Sequence, residues 1–225
     1  MTRIVNNCVA LVCLCLFWGQ SLRAADASHS EQIKWGNESV FNEEHNTLGL
    51  FSGVLGGQIV LAGGTSDDYS RWGRNAVCLS ENAGFALYED VLSKPLAYGA
   101  SITLSDGILC IGGRDSSQCY EDVFFVTMQQ GKLNVSEDWP PLPFPLSNAA
   151  GALLDNKVYL FGGRKSVSPS RLSDSFFVLD LSNKSRGWKE LPGYPGCVRE
   201  DAILVVQNNG VSPCLYLLGG QTETE

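Results

Sequence analysis

The sequence predicts an all-β fold built from repeated four-stranded units, a β-propeller, and three observations support this. An apolar run ending in two glycines occurs four times, as GQIVLAGGT, DGILCIGGR, NKVYLFGGR and PCLYLLGGQ. The glycine pairs return at a period of about 50 residues, typical of a repeat architecture, at Gly63/Gly64, Gly112/Gly113, Gly162/Gly163 and Gly219/Gly220. No segment carries a sustained apolar period of about 3.6 residues, which excludes a solenoid of helices.

The third unit shows the four strands most clearly. Ser147–Leu154 is small and apolar, which suits an innermost strand near a crowded axis, and a tight turn at Asp155-Asn156 follows it. Lys157–Gly163 is a continuous apolar run, as in a strand buried on both faces. Asp174–Leu181 alternates and is aromatic, and Gly187–Leu191 is a short outer strand closed by a proline. Four antiparallel strands per unit make one propeller blade.

The other units repeat these parts in the same order, and we expect no helix beyond the first 27 residues. The predicted strands are Thr47–Leu55, Gln58–Gly64, Asn75–Ser80 and Phe85–Asp90 in the first unit, and Tyr98–Leu104, Ile108–Gly113, Glu121–Met128 and Leu133–Trp139 in the second. The fourth unit begins near Asp201 and has two strands, the second ending at Gly219-Gly220. The blades therefore fall at about residues 47–92, 97–142, 147–192 and 201–225, the last one incomplete.

These motifs carry a family resemblance. The Gly-Gly strand end, the aromatic third strand and a Trp followed by Leu-Pro resemble the Kelch repeat. Finer motifs are similar to the cyclically permuted branch of the N-acetylneuraminate epimerase (sialate mutarotase) family, at Pro95–Ser101, Ile111–Gly113, Leu142–Pro145 and Trp188–Pro192. The resemblance covers roughly Thr47 to Gln221 and implies a six-bladed ring. Because the sequence stops half-way through a blade, we expect an incomplete chain with about three and a half blades of that ring.

The first 27 residues have the pattern of a secretory signal peptide. Arg3 supplies the positive charge, Cys8–Trp18 is an apolar stretch, and Ala25–Ala27 offers an A-x-A cleavage site. A membrane anchor is the alternative, but the apolar stretch is shorter than the ~20 residues that span a bilayer. We therefore expect an exported protein, periplasmic or secreted, with a polar lead-in at residues 28–46 and no membrane span after signal removal.

Composition excludes several classes of function. The net charge of −8 and the pI near 4.8 argue against nucleic-acid binding. His29 and His45 are the only histidines, and both precede the blades, so the sequence predicts neither a metal site nor a Ser-His-Asp triad. The glycine pairs end strands and never open a helix as phosphate-binding loops do, and we expect no cofactor.

Strand directions bring a set of polar residues to one end of the predicted propeller. Arg114 and Arg164 directly follow Gly-Gly pairs, whereas Tyr98, Asn148 and Arg199 lie where inner strands begin. Three guanidinium groups around a funnel suit an anionic ligand, because the planar fork binds a carboxylate bidentately. We expect Arg199 to reach inward toward the axis, with Arg114 and Arg164 more exposed to water.

The three arginines and Tyr98 also have a structural interpretation. The arginines could form ion pairs with neighbours such as Asp115 or Glu200 and bind no ligand. Tyr98 could pack against the axis of the propeller. The sequence leaves both interpretations open.

The resemblance implies a mutarotase that acts on N-acetylneuraminate, with the arginines binding its carboxylate and Tyr98 and Asn148 bonding to ring hydroxyls. The family's proposed catalytic pair is a glutamate directly after a strand-two glycine and an arginine six residues later. The matching positions here are Thr65, Arg114, Arg164 and Gln221, so the catalytic residues are unknown. The alternatives are a non-catalytic Kelch module that binds a protein or a glycan, and an inactive truncated remnant.

Overall fold

The computed structural model describes residues 48–80 and 84–222 of the chain. The predicted signal peptide and polar lead-in lie outside these residues. The described residues form three four-stranded antiparallel sheets, a two-stranded sheet that follows them and a small two-stranded hairpin, which confirms the all-β propeller prediction. Within the same residues, no helix has the length and apolar character needed to cross a membrane.

Each four-stranded sheet is a blade whose strands pair in sequence order. Blade 1 contains β1 (Phe51–Leu55), β2 (Gln58–Ala62), β3 (Ala76–Ser80) and β4 (Gly84–Tyr88). Blade 2 contains β5 (Ala100–Thr103), β6 (Ile108–Ile111), β7 (Val123–Gln129) and β8 (Lys132–Ser136). Blade 3 contains β9 (Ala150–Leu154), β10 (Lys157–Phe161), β13 (Phe176–Asp180) and β14 (Lys189–Leu191), with the hairpin β11 (Arg164–Ser166) and β12 (Arg171–Leu172) inserted after β10. Blade 4 contains β15 (Glu200–Asn208) and β16 (Pro213–Gln221).

Two features of blade 3 differ from the sequence prediction. The segment after Gly163, between two strands predicted from the sequence, holds the additional hairpin of β11 and β12. The turn after β13 is a 3-10 helix, Leu181–Arg186, although no helix was expected there. The Asp180 carboxylate caps this helix by accepting a hydrogen bond from the Ser182 N–H at 2.9 Å. Short polar side chains of this kind bond to nearby backbone groups and favour caps and tight turns.

Consecutive blades pack sheet face against sheet face, and the apolar core lies in these interfaces. Between blades 1 and 2, the rings of Phe51 and Phe124 meet edge-on with centroids 5.3 Å apart. Between blades 2 and 3, Ile102 and Phe177 belong to one buried cluster, and Leu204 of blade 4 packs against blade 3. The inner strands β1, β5, β9 and β15 therefore contact one another in order around the axis.

The structure explains why strand two of each unit ends in two glycines. The first glycine has a positive φ, and a Cβ there would overlap a carbonyl oxygen of the next blade; these pairs are Gly63 with Leu96, Gly112 with Leu146, and Gly162 with Arg199. The second glycine donates its N–H to that same oxygen; these bonds are Gly64 to Leu96 at 2.9 Å, Gly113 to Leu146 at 2.8 Å, and Gly163 to Arg199 at 2.9 Å. The Gly-Gly pair is thus a backbone attachment between blades, and it requires both close approach and a left-handed residue.

The face of blade 4 that points away from blade 3 is apolar and exposed. Ile203 and Leu218 lie opposite each other on β15 and β16 and are 43% and 42% exposed. The equivalent residues of the earlier blades, counted from the Gly-Gly pairs, are buried against the next blade: Phe51 and Ala62, Ala100 and Ile111, and Ala150 and Phe161. Blade 4 therefore exposes the kind of face that the other three blades bury.

Candidate functional site

Four residues at the entrances of the inner strands form the mouth of the propeller: Gly49, Tyr98, Asn148 and Asp201. Their backbones are linked in a row around the axis. Tyr98 N–H donates to Gly49 O at 2.7 Å, Asn148 N–H to Tyr98 O at 2.6 Å, and Asp201 N–H to Asn148 O at 3.0 Å. The predicted residues Tyr98 and Asn148 therefore do lie side by side, with Asp201 as the next member.

All four mouth residues have a left-handed backbone, with φ between 52° and 64°. Asn and Asp tolerate this conformation better than other side chains, because their short polar groups bond locally. Two reasons exclude a side chain at Gly49. Its φ of 64° is left-handed, and a Cβ would lie 2.8 Å from the Tyr98 ring. The Tyr98 ring therefore rests directly on the backbone of blade 1.

Arg114, predicted as a ligand-binding residue, lies against three aromatic rings. The ring centroids of Tyr69, Trp72 and Tyr98 are 6.4 to 6.5 Å from one another. The guanidinium carbon of Arg114 is 4.6 Å from the Tyr98 centroid, 5.2 Å from Trp72 and 6.0 Å from Tyr69. These are cation–π distances, so the aromatic triangle, meaning Tyr69, Trp72 and Tyr98, holds the guanidinium in place.

The loop that carries Tyr69 and Trp72 is fixed by its own hydrogen bonds. Thr65 Oγ1 donates to the Arg71 carbonyl at 2.7 Å, and Trp72 Nε1 donates to the Tyr69 carbonyl at 3.1 Å. The Asp68 carboxylate accepts from Ser66 and Ser70, and these hydrogen bonds lower the pKa of Asp68 to about 2. Two rings of the aromatic triangle therefore stand on a preorganised loop.

The charge of Arg114 has no counterpart within the described residues. No carboxylate among them pairs with its guanidinium, and its buried Nε has no hydrogen-bond partner there. Burial, and then the hydrogen bond to the Tyr69 hydroxyl at 3.3 Å, raise the pKa of Tyr98, so the phenol stays protonated at neutral pH. A half-buried cation with unused donors is the arrangement that an anionic ligand would complete.

Arg164 has the structural role that the sequence left open. Its guanidinium forms a bidentate pair with Glu200, with Nε donating to Oε2 at 2.8 Å and Nη2 donating to Oε1. The side chain of Glu200 is only 9% exposed, and that of Arg164 is 25% exposed. The hydrogen bonds to Glu200 raise the pKa of Arg164 above its ordinary value. The Arg164 donors that bond to Glu200 therefore link blade 3 to blade 4 and are not free to bind a ligand.

Arg199 does not reach toward the axis as expected. Its Nη1 donates to the Gly219 carbonyl at 2.8 Å, and its guanidinium carbon is 5.6 Å from the Tyr194 centroid. The residues that match Arg199 in blades 2 and 3 are Leu96 and Leu146, and both are buried between blades. All three arginines are partly buried, and Arg114 is the one that lies against the Tyr98 ring at the mouth.

Asp201 occupies the mouth position that the sequence analysis assigned to Arg199. Asn148 Nδ2 donates to Asp201 Oδ1 at 2.8 Å. This assigns the Asn148 amide, because a carboxylate can only accept and the nitrogen must face it. Asn148 Oδ1 is then the buried amide oxygen, and it has no partner within the described residues.

Three members of this site were not among the predicted site residues: Tyr69, Trp72 and Asp201. A usable signal existed for Asp201. Aligned on the backbone attachment, the three entrances are Leu96-Ala97-Tyr98, Leu146-Ser147-Asn148 and Arg199-Glu200-Asp201. This alignment puts Arg199 with two leucines and Asp201 with the mouth residues. No comparable signal marks Tyr69 and Trp72, because they come from a loop of a different blade.

A cleft of about 560 Å³ lies at the opposite end of the propeller. Its walls include Asp106 and Asn156 from the turns between the first two strands of blades 2 and 3. Lys184 Nζ lies 4.0 Å from the Trp139 centroid within it. Tyr98 and Asn148 lie where the inner strands begin, whereas this cleft lies where those strands end. The cleft therefore does not belong to the site at the mouth. Within the described residues, no group of three or more His, Cys, Asp or Glu side chains could hold a metal ion.

Comparisons with known proteins agree with this architecture. The Kelch motif model matches residues 145–192, which is blade 3 with its entrance. The solved structure of YjhT superimposes with a TM-score of 0.62 at 13% identity, covering 77% of this chain and 62% of that chain. At this identity the likeness shows the fold.

Sequence relatives match a shorter part of the chain. An N-acetylneuraminate epimerase of Vibrio cholerae is 31% identical over 106 residues, 47% of this chain and 25% of that protein. An N-acetylneuraminate epimerase of Yersinia pestis is 32% identical over 89 residues, 40% of this chain and 20% of that protein. A Kelch domain-containing protein of Vibrio cholerae is 32% identical over 81 residues, 36% of this chain and 20% of that protein.

The chain thus spans a quarter or less of the length of these curated relatives. The repeat, the blade construction and the structural likeness all point to one architecture. The chain folds as a β-propeller, carries a Kelch motif at residues 145–192 and is partly similar to N-acetylneuraminate epimerases.

Proposed function

We propose that this chain binds a sugar acid of the N-acetylneuraminate type at its mouth, as part of an exported sialate mutarotase. The observation that carries the proposal is Arg114, a guanidinium held by three rings with a buried, unpartnered Nε. A carboxylate would accept from this guanidinium and remove the unsatisfied charge. The similarity to N-acetylneuraminate epimerases supports this class of ligand.

The arginines do not contribute equally to this proposal. Arg164 gives donors to Glu200, and Arg199 gives donors to the carbonyls of Cys197 and Gly219. Only Arg114 among the three predicted arginines has no polar partner for its guanidinium within the described residues. Tyr98 contributes ring surface and, together with Asn148, polar groups beside the bound acid.

A non-catalytic sugar-binding module is the second candidate. It is favoured by one observation, that the positions after the glycine pairs hold Thr65, Arg114, Arg164 and Gln221, with no carboxylate among them. Mutarotation needs a group that moves a proton at the anomeric centre. Binding without faster anomer exchange would therefore point to this second candidate.

Calorimetric titration with N-acetylneuraminate and with its methyl ester tests the proposal. Arg114→Ala should weaken binding of the acid by about ten- to a hundredfold, since a charged hydrogen bond contributes about 1.5–3 kcal/mol. Arg199→Ala is the matched control and should change affinity little. The acid should bind more tightly than the ester. Equal affinities, or a folded Arg114→Ala protein with unchanged binding, would remove the basis of the proposal.

Anomer exchange measured by NMR with the same protein separates the two candidates. A mutarotase should speed the equilibration of a freshly prepared single anomer above the rate in buffer. Acceleration that disappears with Arg114→Ala would assign the activity to the mouth.

A further inference from the structure

We propose that Asp201 and Asn148 form a second recognition point in the mouth, which selects ligands with hydrogen-bond donors on the side away from the carboxylate. This rests on the proposed function, because it names how the other end of the same ligand is held. The ligand class is a polyhydroxylated acid whose hydroxyl or amide N–H groups face blades 3 and 4.

The first observation is the fixed orientation of the two side chains. Asn148 Nδ2 donates to Asp201 Oδ1 at 2.8 Å, and the Asp201 N–H donates to the Asn148 carbonyl at 3.0 Å. The side chains are therefore joined both directly and through the backbone. Their free atoms, Asn148 Oδ1 and Asp201 Oδ2, are both acceptors.

The second observation is that these acceptors lack donors. Asn148 Oδ1 is buried and accepts no hydrogen bond from any described residue. A buried acceptor without a donor costs free energy, so a ligand that supplies a hydroxyl or an N–H would be favoured there. An acid group would be repelled by the Asp201 carboxylate, which fixes the direction in which a sugar acid enters.

The third observation is that neighbouring cations do not neutralise Asp201. Arg164 donates to the adjacent Glu200, and Arg199 bonds to backbone carbonyls. Asp201 takes part in none of the ion pairs Arg74–Asp90, Lys94–Asp122 and Arg164–Glu200 of the described residues. Asp201 therefore offers a charged acceptor, which makes a stronger hydrogen bond than a neutral one.

The order of the blades separates the two recognition points. Arg114 lies beside Tyr98 of blade 2, Asn148 belongs to blade 3, and Asp201 to blade 4. One end of the mouth thus holds a cation that needs an acceptor, and the other holds acceptors that need donors. This polarity matches a sugar with a carboxylate at one end and hydroxyl groups at the other.

The test uses the 225-residue chain, Asp201→Asn, and the methyl ester, which keeps every hydroxyl and the amide but has no charge. Asp201→Asn should weaken the acid and the ester alike, by about ten- to a hundredfold, because a charged hydrogen bond is lost in both. Asp115→Asn is the matched control, since Asp115 lies at the same end and bonds within its own loop to Ser117, Gln118 and Tyr120. It should leave both affinities unchanged.

The outcomes separate this inference from the proposed function. If Arg114→Ala has no effect but Asp201→Asn weakens the ester, the carboxylate contact is wrong and the donor-selecting site stands. If Arg114→Ala weakens the acid while Asp201→Asn behaves like the control, the inference is overturned. If neither ligand binds, both are overturned.

A second arm avoids any doubt about folding of the variant. The fully O-methylated ester is titrated against the wild-type chain and should bind at least tenfold more weakly than the ordinary ester, because its hydroxyl donors are gone. Equal binding of the two esters would overturn the inference, whatever the variant shows.

Discussion

The ion pair between Arg164 and Glu200 should be one of the larger single contributions to the attachment of blade 4. Removing one partner of a buried pair costs about 3–5 kcal/mol, because the other charge is left without compensation. Glu200 is 9% exposed and Arg164 is 25% exposed, so solvent screens the pair in part. We therefore expect Arg164→Ala to lower the free energy of unfolding by about 2–3 kcal/mol.

Glu200→Ala should cost less, about 1–2 kcal/mol, because the more exposed Arg164 can turn toward water. The double variant should cost less than the sum of the two single variants, with a coupling of about 1–2 kcal/mol. For a chain of this size, Arg164→Ala should lower the thermal midpoint by about 4–12 °C. Arg199→Ala is the control and should lower it by no more than a few degrees. Equal midpoints for Arg164→Ala and Arg199→Ala, or additive single effects, would refute the assignment of this pair.

Three further predictions concern the mouth loop, the mouth backbone and blade 4. Hydrogen bonds, of which the one from Ser66 has the largest effect, lower the pKa of Asp68 from 3.8 to about 2. The stabilisation that this carboxylate gives is therefore present above pH 3.8 and is lost as the pH falls toward 2. Asp68→Asn should remove this part of the acid dependence of the thermal midpoint. Gly49→Ala should destabilise the chain by about 1–3 kcal/mol in urea titrations, because it adds a strained φ and a clash with the Tyr98 ring; an unchanged midpoint would mean that the ring moves freely. Leu218→Lys should reduce self-association in sedimentation experiments, because it places a charge on the exposed apolar face of blade 4. Equal sedimentation of the wild-type and variant proteins would show that this face does not mediate self-association.

The fold was predictable because each blade repeats a backbone requirement that leaves a mark in the sequence. Gly112 needs a positive φ and close approach to the Leu146 carbonyl, and only glycine satisfies both. The same requirement at Gly63 and Gly162 produced the repeated pairs from which the blades were inferred. The 3-10 helix at Leu181–Arg186 was missed because a single short helix in a turn leaves no periodic pattern.

The mouth was predictable only in part, because its side chains do not repeat. Tyr98 and Asn148 were found from strand direction alone, since any residue at that entrance faces the same end. Arg199 was misplaced by two residues, a shift that moves a side chain from the mouth to the interface between blades. The contact of Arg114 with Trp72 depends on the path of a loop from another blade, which local spacing does not encode.

The backbone attachment between blades separates two tasks that many sites combine. The oxygen that receives the glycine N–H belongs to Leu96, Leu146 or Arg199, and the mouth residue follows two positions later in each case. Position and orientation at the mouth are thus set by main-chain bonds that any side chain leaves intact. The mouth side chains are a phenol, an amide and a carboxylate, yet the backbones of Tyr98, Asn148 and Asp201 share the left-handed conformation, with φ of 59°, 56° and 52°. A propeller built in this way can exchange its ligand chemistry one blade at a time without rebuilding the joints that hold the blades together.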